Sequence, residues 1–388
     1  MNITFITTTS YIDTAFPLIN ILSKQNIINL IVNFSDNNKR SSFISIDETF
    51  YKNKIIVNNY DLLGDSKKII DDWTNISLTF IYWKKWKISC FKNWLLLIKL
   101  NRLLNRNSVF HIQAMNFFWL FLLKLRRIKN IIIDYHDPIE HSDSQASKML
   151  YLVKKQFNAL SKNILIHNKS VIPEFEKLYN IDSLKIVYTP FGKIPLHKIY
   201  RIAPTKYIKN SLLFFGRLSP YKGIDYLIEA AKIVRKRIPD LKVIIAGSGK
   251  LYFDITGIQN NNTFQIINRY IPNNELAQLI QESSFVVCPY TDATQSGVVM
   301  TAYAFHKPVI ATKVGGLSEV VINNFTGKLV PPKDPVALAE AINELLQNPA
   351  MIEKMSENIK TFCSQSEFSW ENIAQKTIEV YKNTLTKK

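Results

Sequence analysis

The sequence predicts an α/β protein of two Rossmann-like, doubly wound domains that face each other across a cleft. The chain has 388 residues, and a single core rarely grows that large, so we expect two domains of roughly 190 residues. Short apolar runs alternate with amphipathic segments in both halves, which is typical of parallel strands joined by helices. The most regular unit, at residues 212–249, reads as strand, basic loop, helix and strand.

The first half of the chain supplies nine strand candidates and at least four helix candidates. The predicted strands are short aliphatic or aromatic runs at residues 3–7, 28–32, 43–46, 54–57, 77–82, 109–112, 131–135, 164–167 and 185–188. The predicted helices lie at residues 14–23, at 94–104, in an apolar segment ending near 125, and at 145–160. This alternation predicts a parallel sheet covered on both faces.

The predicted domain boundaries follow the breaks in this pattern. Residues 1–195 form the first domain, and residues 196–209, which contain Pro204 and no periodicity, form a linker. Residues 210–366 form the second β-α-β series, with further strands at 243–246 and 264–268. Residues 367–388 form a final amphipathic helix opened by Ser369, Trp370 and Glu371.

Two cations lie in the first loop of the second domain. Arg217 and Lys222 are five positions apart, between Gly216 and Gly223, where a strand gives way to a helix. Free backbone N–H groups at a helix start bind anions, and two cations suit a diphosphate better than a single carboxylate. The alternative is that both are solvated cations in an ordinary loop.

A second strand-loop-helix unit spans residues 288–319. Helix initiation at Ser296 and Gly297 leaves backbone N–H groups facing the preceding loop. Ligands of open α/β sheets bind at the carboxyl ends of strands, so this loop and the Arg217 loop are expected to converge.

At residues 212–327 the chain resembles the retaining glycosyltransferases of GT-B fold often called family 4. The GR-x-x-x-x-KG element of that family holds the donor diphosphate, and Gly216, Arg217 and Lys222 occupy it here. The resemblance implies an acceptor-binding first domain, a donor-binding second domain, and a last helix that crosses back onto the first. It also implies transfer from a nucleotide-diphosphate sugar with retention, without a metal or other cofactor. The segment after residue 268 contacts the base in that family, which assigns this role to Arg269, Tyr270 and Ile271.

The chain departs from family 4 at two carboxylates. When Ala302-Tyr303-Ala304 is registered on the family's Ala-Met-Ala triplet, Ala293 and Thr301 take the places of the Glu-x7-Glu pair. In the family the second Glu binds the ribose hydroxyls and the first lies near the transferred sugar. The loop resembles a variant branch, so donor contacts are still expected from Gln295, Ser296, Gly297, Val298 and Thr301. The alternative is a domain that binds nucleotide poorly.

In the first domain, His136 and Asp137 follow a predicted strand. The resembled family has a His here, close to the donor sugar and acceptor, and a His-Asp pair can position or polarise a hydroxyl. The alternative is a histidine bonded only within its loop. Weaker candidates nearby are Glu140, His141, His111 and Gln113.

The formal charge of +18 is concentrated in the first half. No acidic residue occurs at positions 73–133, which hold 11 cations interleaved with tryptophans. Such a surface suits nucleic acid or an anionic membrane, and residues 94–104 have an apolar stripe flanked by cations, as in interfacial helices. The alternative is a helix that packs one face against the core and exposes its basic face to solvent. No nucleic-acid motif is present, so we expect a membrane or acceptor surface that includes Lys84, Lys85, Lys87, Lys92, Trp94 and Arg102.

The cysteines and the apolar runs of the sequence bear on the cellular location of the protein. Cys90, Cys288 and Cys363 form no metal or disulfide pattern, and no targeting or membrane-spanning segment is apparent. We therefore expect a cytoplasmic protein, peripheral on the inner face of the membrane, with a lipid-linked saccharide acceptor in bacterial surface polysaccharide synthesis. Two rivals stay open: a non-catalytic partner subunit of the same fold, and another GT-B enzyme such as a nucleotide-sugar epimerase.

Overall fold

The computed structural model describes residues 1–35, 55–57, 60–83, 91–139, 148–200, 207–254, 256, 258, 262–293 and 297–386. These residues form two compact units. Unit 1 contains Met1–His167, Val171–Phe191 and Trp370–Lys388, and unit 2 contains Asn168–Ser170 and Gly192–Ser369. The strand predicted at residues 43–46 lies outside the described residues.

Unit 1 is built on an eight-stranded sheet in the order β3-β4-β2-β1-β5-β6-β7-β8. The strands are β1 Asn2–Thr8, β2 Ile27–Ser35, β3 Ile55–Val57, β4 Ile76–Trp83, β5 Val109–Ile112, β6 Ile131–Tyr135, β7 Asn163–Ile166 and β8 Ile186–Tyr188. β1 pairs in parallel with β2 on one side and β5 on the other. Sequence order reverses direction at β1, which makes its carboxyl end the place where ligands bind in such sheets.

One strand of unit 1 departs from the predicted parallel arrangement. β3 pairs antiparallel with β4, with Ile56 opposite Phe80. A parallel neighbour needs a crossover connection, usually a helix, whereas an antiparallel edge strand does not. The prediction of a wholly parallel sheet is therefore wrong at this edge.

The helices of unit 1 include the last helix of the chain. They are α1 Ile12–Leu22, α2 Phe91–Leu103, α3 Phe117–Leu125, α4 Lys148–Leu160, α5 Ile172–Tyr179 and α13 Trp370–Thr386. The Asn116 side chain caps α3 by accepting from the Trp119 N–H at 2.9 Å. α13 is fixed to this sheet by Asn163, whose amide donates to the Thr384 hydroxyl at 2.7 Å.

Unit 2 is built on a six-stranded sheet in the order β11-β10-β9-β12-β13-β14, and all of its pairs are parallel. The strands are β9 Ser211–Phe215, β10 Lys242–Gly247, β11 Phe264–Asn268, β12 Phe285–Cys288, β13 Val309–Thr312 and β14 Gly327–Val330. The helices are α6 Leu196–Ile199, α7 Ile224–Arg235, α8 Asn273–Glu282, α9 Gly297–Ala304, α10 Leu317–Val320, α11 Pro335–Gln347 and α12 Pro349–Gln365.

The strand order of unit 2 reverses between β9 and β12. Both strands are buried along their whole length, as expected for central strands of a parallel sheet. The predicted α/β class with doubly wound sheets is confirmed in each unit. In the described part of the chain, no helix is long and apolar enough to cross a bilayer.

Candidate functional site

The switch point of unit 2 gathers the predicted diphosphate-binding residues. Gly216 and Arg217 follow β9 directly, and Pro289 and Tyr290 follow the adjacent β12. Ligands of doubly wound sheets bind where the strand order reverses, just beyond the carboxyl ends of the two strands. Topology alone therefore places the Arg217 loop at the expected ligand position.

The backbone of Gly216 leaves no room for a side chain at Gly247, which ends the adjacent strand β10. Gly216 has a φ of 119°, and a Cβ on Gly247 would lie 1.7 Å from the Gly216 carbonyl oxygen. A Cβ on Gly216 would contact Val298 Cγ2, in the first turn of α9, at 3.5 Å. The structure thus brings the loop after β9 together with the start of α9, where backbone N–H groups favour an anion.

Lys222 is a buried cation that has no counter-ion among the described residues. Its side chain is 8% exposed, and its Nζ lies 3.6 Å from the centroid of the Tyr290 ring and 4.9 Å from that of Tyr221. Among the described residues, no carboxylate or hydrogen-bond acceptor faces the ammonium. Burial raises the pKa of the nearby Cys288 thiol to about 12, so this group stays neutral.

Burial lowers the pKa of Lys222 to about 8; the Cys288 thiol opposes this shift and the charge of Arg217 adds to it. A buried charge without a partner is costly, and a bound anion would relieve that cost. Arg217 is exposed and has no hydrogen-bond partner within the described residues. Both predicted cations are therefore available to a ligand.

A tight turn holds Lys222 in this place. Gly223 has a φ of 63°, and a Cβ there would lie 2.0 Å from the Pro289 carbonyl oxygen. The Thr291 N–H donates to the Tyr221 carbonyl at 2.8 Å, which ties the turn to the segment after β12. The Ser219 hydroxyl is buried in the same turn without a hydrogen-bond partner among the described residues.

The residues predicted to face the base follow β11, near the edge of the sheet. Arg269 forms a two-pronged ion pair with Glu275, at 2.7 and 2.6 Å. Tyr270 is exposed and Ile271 is buried. The Asn268 side chain accepts from the Gly249 N–H at 3.2 Å, which links this segment to the loop after β10.

The start of α9 is described only in part. Gln295 and Ser296 lie outside the described residues, whereas Gly297 and Val298 form the first turn. The Thr301 hydroxyl donates to the Gly297 carbonyl at 2.7 Å and is thus occupied within its own helix. Ala293 is buried. Neither of these two positions supplies a carboxylate.

In unit 1, the predicted site residue His136 follows β6 and is buried. Tyr11 stacks on its ring with centroids 3.7 Å apart. Burial lowers the pKa of His136 to about 3, against the opposing charge of Asp134, so the imidazole is neutral near pH 7. Asp137 is exposed, and its carbonyl oxygen accepts from Lys154 Nζ at 3.3 Å. Glu140 and His141 lie outside the described residues.

A buried carboxylate that sequence reasoning did not single out lies beside His136. Asp134, the next-to-last residue of β6, accepts hydrogen bonds from His111 at 2.8 Å, from Gln113 at 2.9 Å, and from His167. Burial alone raises its pKa, but the charge of His167 and the two histidine hydrogen bonds outweigh burial and hold the pKa well below its usual range. His111 and Gln113, weak candidates from the sequence, are thus its partners.

The basic segment at positions 73–133 is described except for residues 84–90. Lys84, Lys85 and Lys87 lie outside the described residues. Lys92 and Arg102 are exposed on α2. The Trp94 ring packs edge-on against Phe117, Phe118 and Phe121 of α3. Trp94 is therefore partly a packing residue.

Known proteins are similar to this chain in sequence and in fold. The sequence profile of the family described as glycosyl transferases group 1 matches residues 200–362. An uncharacterized glycosyltransferase of Methanocaldococcus jannaschii is 35% identical over 257 residues, which are 56% of this chain and 70% of that protein. A D-inositol 3-phosphate glycosyltransferase of Corynebacterium urealyticum is 30% identical over 189 residues, 45% of this chain. The chain covers only 43% of that second relative.

Among solved structures, HepE of Anabaena in complex with UDP and glucose has a TM-score of 0.68 at 16% identity. The likeness covers 99% of this chain and 100% of that one, and it confirms the predicted GT-B fold. The sequence matches confirm the predicted glycosyltransferase. The chain belongs to the family of glycosyl transferases group 1.

Proposed function

We propose that this protein transfers a sugar from a nucleotide-diphosphate sugar to an acceptor hydroxyl. The observation that carries the proposal is Lys222, a buried ammonium at the switch point of unit 2 with no counter-ion in the part of the chain that the structure describes. The charge of Arg217 acts on Lys222, and Gly216, next to Arg217, lies against the start of α9. This group suits a diphosphate, which brings two or more negative charges. Unit 2 is then the donor-binding unit and unit 1 the acceptor-binding unit.

In the proposed reaction the bond between the sugar C1 and the diphosphate oxygen breaks, and a bond from C1 to the acceptor oxygen forms. The acceptor proton passes to the departing diphosphate. Lys222, Arg217 and the N–H groups of α9 stabilise the charge that develops on the leaving group, so we propose that protein cations serve here without a metal. The resemblance to family 4 supports retention through a front-face mechanism.

The nucleotide is proposed from the structural likeness. HepE was solved with UDP and glucose, and the same fold in this chain supports UDP-sugars as the first donors to test. Thr301 in place of a carboxylate implies weaker or different contacts to the ribose. The buried, neutral His136 of unit 1 is proposed to hydrogen-bond a sugar or acceptor hydroxyl.

A lipid-linked acceptor is proposed from the outer face of α2 and α3, which we call the α2–α3 surface. The apolar residues Phe91, Leu95 and Ile98 follow each other at helical spacing on α2 and are exposed, Phe91 by 72% and Ile98 by 60%. They lie opposite the buried face of Leu96, Leu97 and Leu100. Phe121 and Leu125 add exposed apolar side chains on α3.

Cations flank these apolar side chains. Lys92, Lys99 and Arg102 are exposed on α2, and Lys124 is exposed on α3. Exposed apolar side chains between cations complement the headgroup region of an anionic bilayer. We therefore propose peripheral attachment to the inner face of the membrane, and an acceptor used in bacterial surface polysaccharide synthesis.

The test of the proposed reaction is turnover by the isolated full chain. We expect release of nucleoside diphosphate from one member of a panel of UDP-, GDP-, ADP- and dTDP-sugars, and faster release with saccharide acceptors. Proton NMR of the product then reads the anomeric configuration, and chelator leaves the rate unchanged. Binding of a nucleotide without any turnover would support the non-catalytic rival instead, and a C2 or C4 epimer as product would support the epimerase rival.

A further inference from the structure

Two aromatic side chains pack against the ring of His136. Tyr11 stacks on one face, with planes 7° apart. Phe191 lies against the ring from another side, with centroids 4.8 Å apart. A ring enclosed in this way keeps one plane, so the directions of its N–H group and its lone pair are fixed as well.

Phe191 is held in turn by His167, whose ring stacks on it with centroids 3.8 Å apart. The Nε2 of His167 donates to Asp134 Oδ1, and its Nδ1 donates to the Thr189 carbonyl oxygen. The Thr189 hydroxyl lies 3.4 Å from the same Nδ1, so both ring nitrogens of His167 have partners and the ring cannot rotate freely. The stacked His167 ring therefore fixes one side of the Phe191 ring.

Asp134 anchors this arrangement to the sheet. Its Oδ2 accepts from His111 Nε2 at 2.8 Å, and His111 Nδ1 accepts from the Tyr381 hydroxyl of α13 at 2.7 Å. Gln113 also donates to Asp134, and the Thr7 hydroxyl at the end of β1 donates to Gln113 at 2.7 Å. Side chains of β1, β5 and α13 therefore fix the position of the Asp134 carboxylate on β6. Asp134 in turn fixes the position of His167.

The tautomer of His136 follows from Thr14. The Thr14 hydroxyl donates to the Tyr11 carbonyl at 3.0 Å, so it accepts from His136 Nε2 at 3.4 Å. The proton of this neutral ring is thus on Nε2 and the lone pair is on Nδ1. The directions of the Nε2–H group and of the Nδ1 lone pair both depend on the orientation of the ring.

We infer that His167 and Phe191 are positioning residues for His136, with Asp134 as their anchor. The inference rests on the proposed function, in which His136 bonds a sugar or acceptor hydroxyl. His167 acts on the His136 ring through Phe191 and also by a direct edge contact, with ring centroids 5.6 Å apart. The bond from His167 to Thr189 fixes the backbone just before Phe191.

The first test reads His136 directly, in the full chain labelled with ¹⁵N-histidine. Long-range proton–nitrogen spectra report the tautomer, and His136→Gln assigns the signals. We expect one Nε2-protonated tautomer in the wild type between pH 8 and pH 5. Phe191→Leu should mix the two tautomers, whereas Phe191→Tyr should restore the wild-type spectrum. Phe175→Leu, which removes an aromatic contact to Tyr135 in the same unit, is the matched control and should change nothing at His136.

A second variant keeps the test decisive if Phe191→Leu does not fold. The charged or titratable groups around His136 are Asp134, His167, His111 and Tyr11. His167→Gln removes a ring whose charge, when protonated, lowers the pKa of His136, and leaves Asp134, which raises that pKa. The His136 signals should then titrate at a higher pH than in the wild type. A His136 spectrum unchanged in both variants overturns the inference.

Turnover separates this inference from the proposed function. With UDP-glucose as donor, Phe191→Leu should lower kcat about tenfold through misorientation, leave KM within about twofold, and recover in Phe191→Tyr. A changed tautomer with unchanged turnover upholds the positioning and overturns the role of His136 in the reaction. An unchanged tautomer overturns the positioning, whatever the turnover.

Discussion

The ammonium nitrogen of Lys222 lies 3.6 Å from the centroid of the Tyr290 ring. Lys222 precedes α7 and Tyr290 follows β12, so this contact joins the two loops on either side of the switch point of unit 2. The aromatic face stabilises a desolvated cation by about 2 kcal/mol, but it does not neutralise the charge. The pair therefore keeps a cation in place for an anionic ligand.

Binding of a nucleoside diphosphate should weaken as the pH rises above about 8. The pKa of Lys222 in the free protein is about 8, and a bound diphosphate favours the ammonium form and raises that pKa. Below pH 8 the ammonium is already present, whereas above it each binding event must take up a proton. We expect UDP affinity, measured by calorimetry, to fall by up to about tenfold per pH unit above 8.

Lys222→Arg is the control for this pH dependence. A guanidinium keeps its charge throughout this range, so the variant should lose the decline even if its affinity is lower overall. A decline above pH 8 that persists in Lys222→Arg would assign the titration to another group.

Gly223→Ala should destabilise unit 2 and abolish nucleotide binding. The substitution places a methyl group 2.0 Å from the Pro289 carbonyl oxygen at a φ of 63°, so the turn that carries Lys222 must move. Gly64 has a φ of 51° and a ψ of −136°, with no atom within 4 Å of its Cβ position, so Gly64→Ala meets backbone strain without a clash and should cost less than Gly223→Ala. Urea unfolding compares the two, and equal losses would show that the Pro289 contact is unimportant.

The sequence was sufficient to predict the doubly wound sheets, because short apolar runs that alternate with amphipathic helices leave few other arrangements. It also predicted that the loops containing Arg217 and Gly297 approach each other, and the structure places Gly216 against Val298. The strand β3 was predicted, but its antiparallel direction was missed because three residues carry no signal for strand direction.

The chemistry of the site was less predictable than its location. The burial of Lys222 depends on Tyr290, 68 positions later in the chain, and one sequence does not reveal such a contact. Asp134 was missed because it reads as the polar end of a hydrophobic strand. Its partner His167 follows a different strand, and only the sheet brings the two side chains together.

Serine substitutions at Phe91 and Ile98 should weaken binding to anionic vesicles by tenfold or more. Each removes an exposed apolar side chain of the α2–α3 surface, which is worth about 1.5 kcal/mol or more when buried. Leu184→Ser is the matched control, since Leu184 is 80% exposed in unit 1 outside that surface. The bound fraction of each variant is measured by co-sedimentation with phosphatidylglycerol vesicles at low and high salt. Equal binding by the double variant and the wild type would contradict the membrane proposal.

Asp134→Asn should destabilise unit 1 by about 3–5 kcal/mol at pH 7, because it removes the buried charged acceptor of the hydrogen bonds from His111 and His167. The folded pKa of Asp134 lies well below its usual range. Its contribution is therefore full above the unfolded value of about 4 and is lost as the pH falls toward the folded pKa. Urea unfolding should show a penalty that shrinks in acid, and a penalty that is constant with pH would argue against an ionised Asp134.

Thr301→Glu should strengthen UDP binding by about tenfold. A carboxylate at this position restores the group that binds the ribose hydroxyls in the resembled family, and hydrogen bonds to a charged acceptor contribute about 1.5 kcal/mol or more. Thr301→Gln, which adds similar volume without charge, should gain less. If both variants bind UDP more weakly than the wild type, the ribose does not lie at this position.

The central claim, that the switch point of unit 2 binds a nucleoside diphosphate through Lys222, is tested most directly by calorimetry with UDP on wild type, Lys222→Met and Lys307→Met. Lys307 is the matched control because burial lowers its pKa to about 8 as well, but its ammonium donates to the carbonyls of Gln281 and Ser283 at 2.9 and 2.6 Å. We predict that Lys222→Met raises the Kd by about 10- to 100-fold and that Lys307→Met leaves it unchanged. Equal UDP affinity in wild type and folded Lys222→Met would contradict the account.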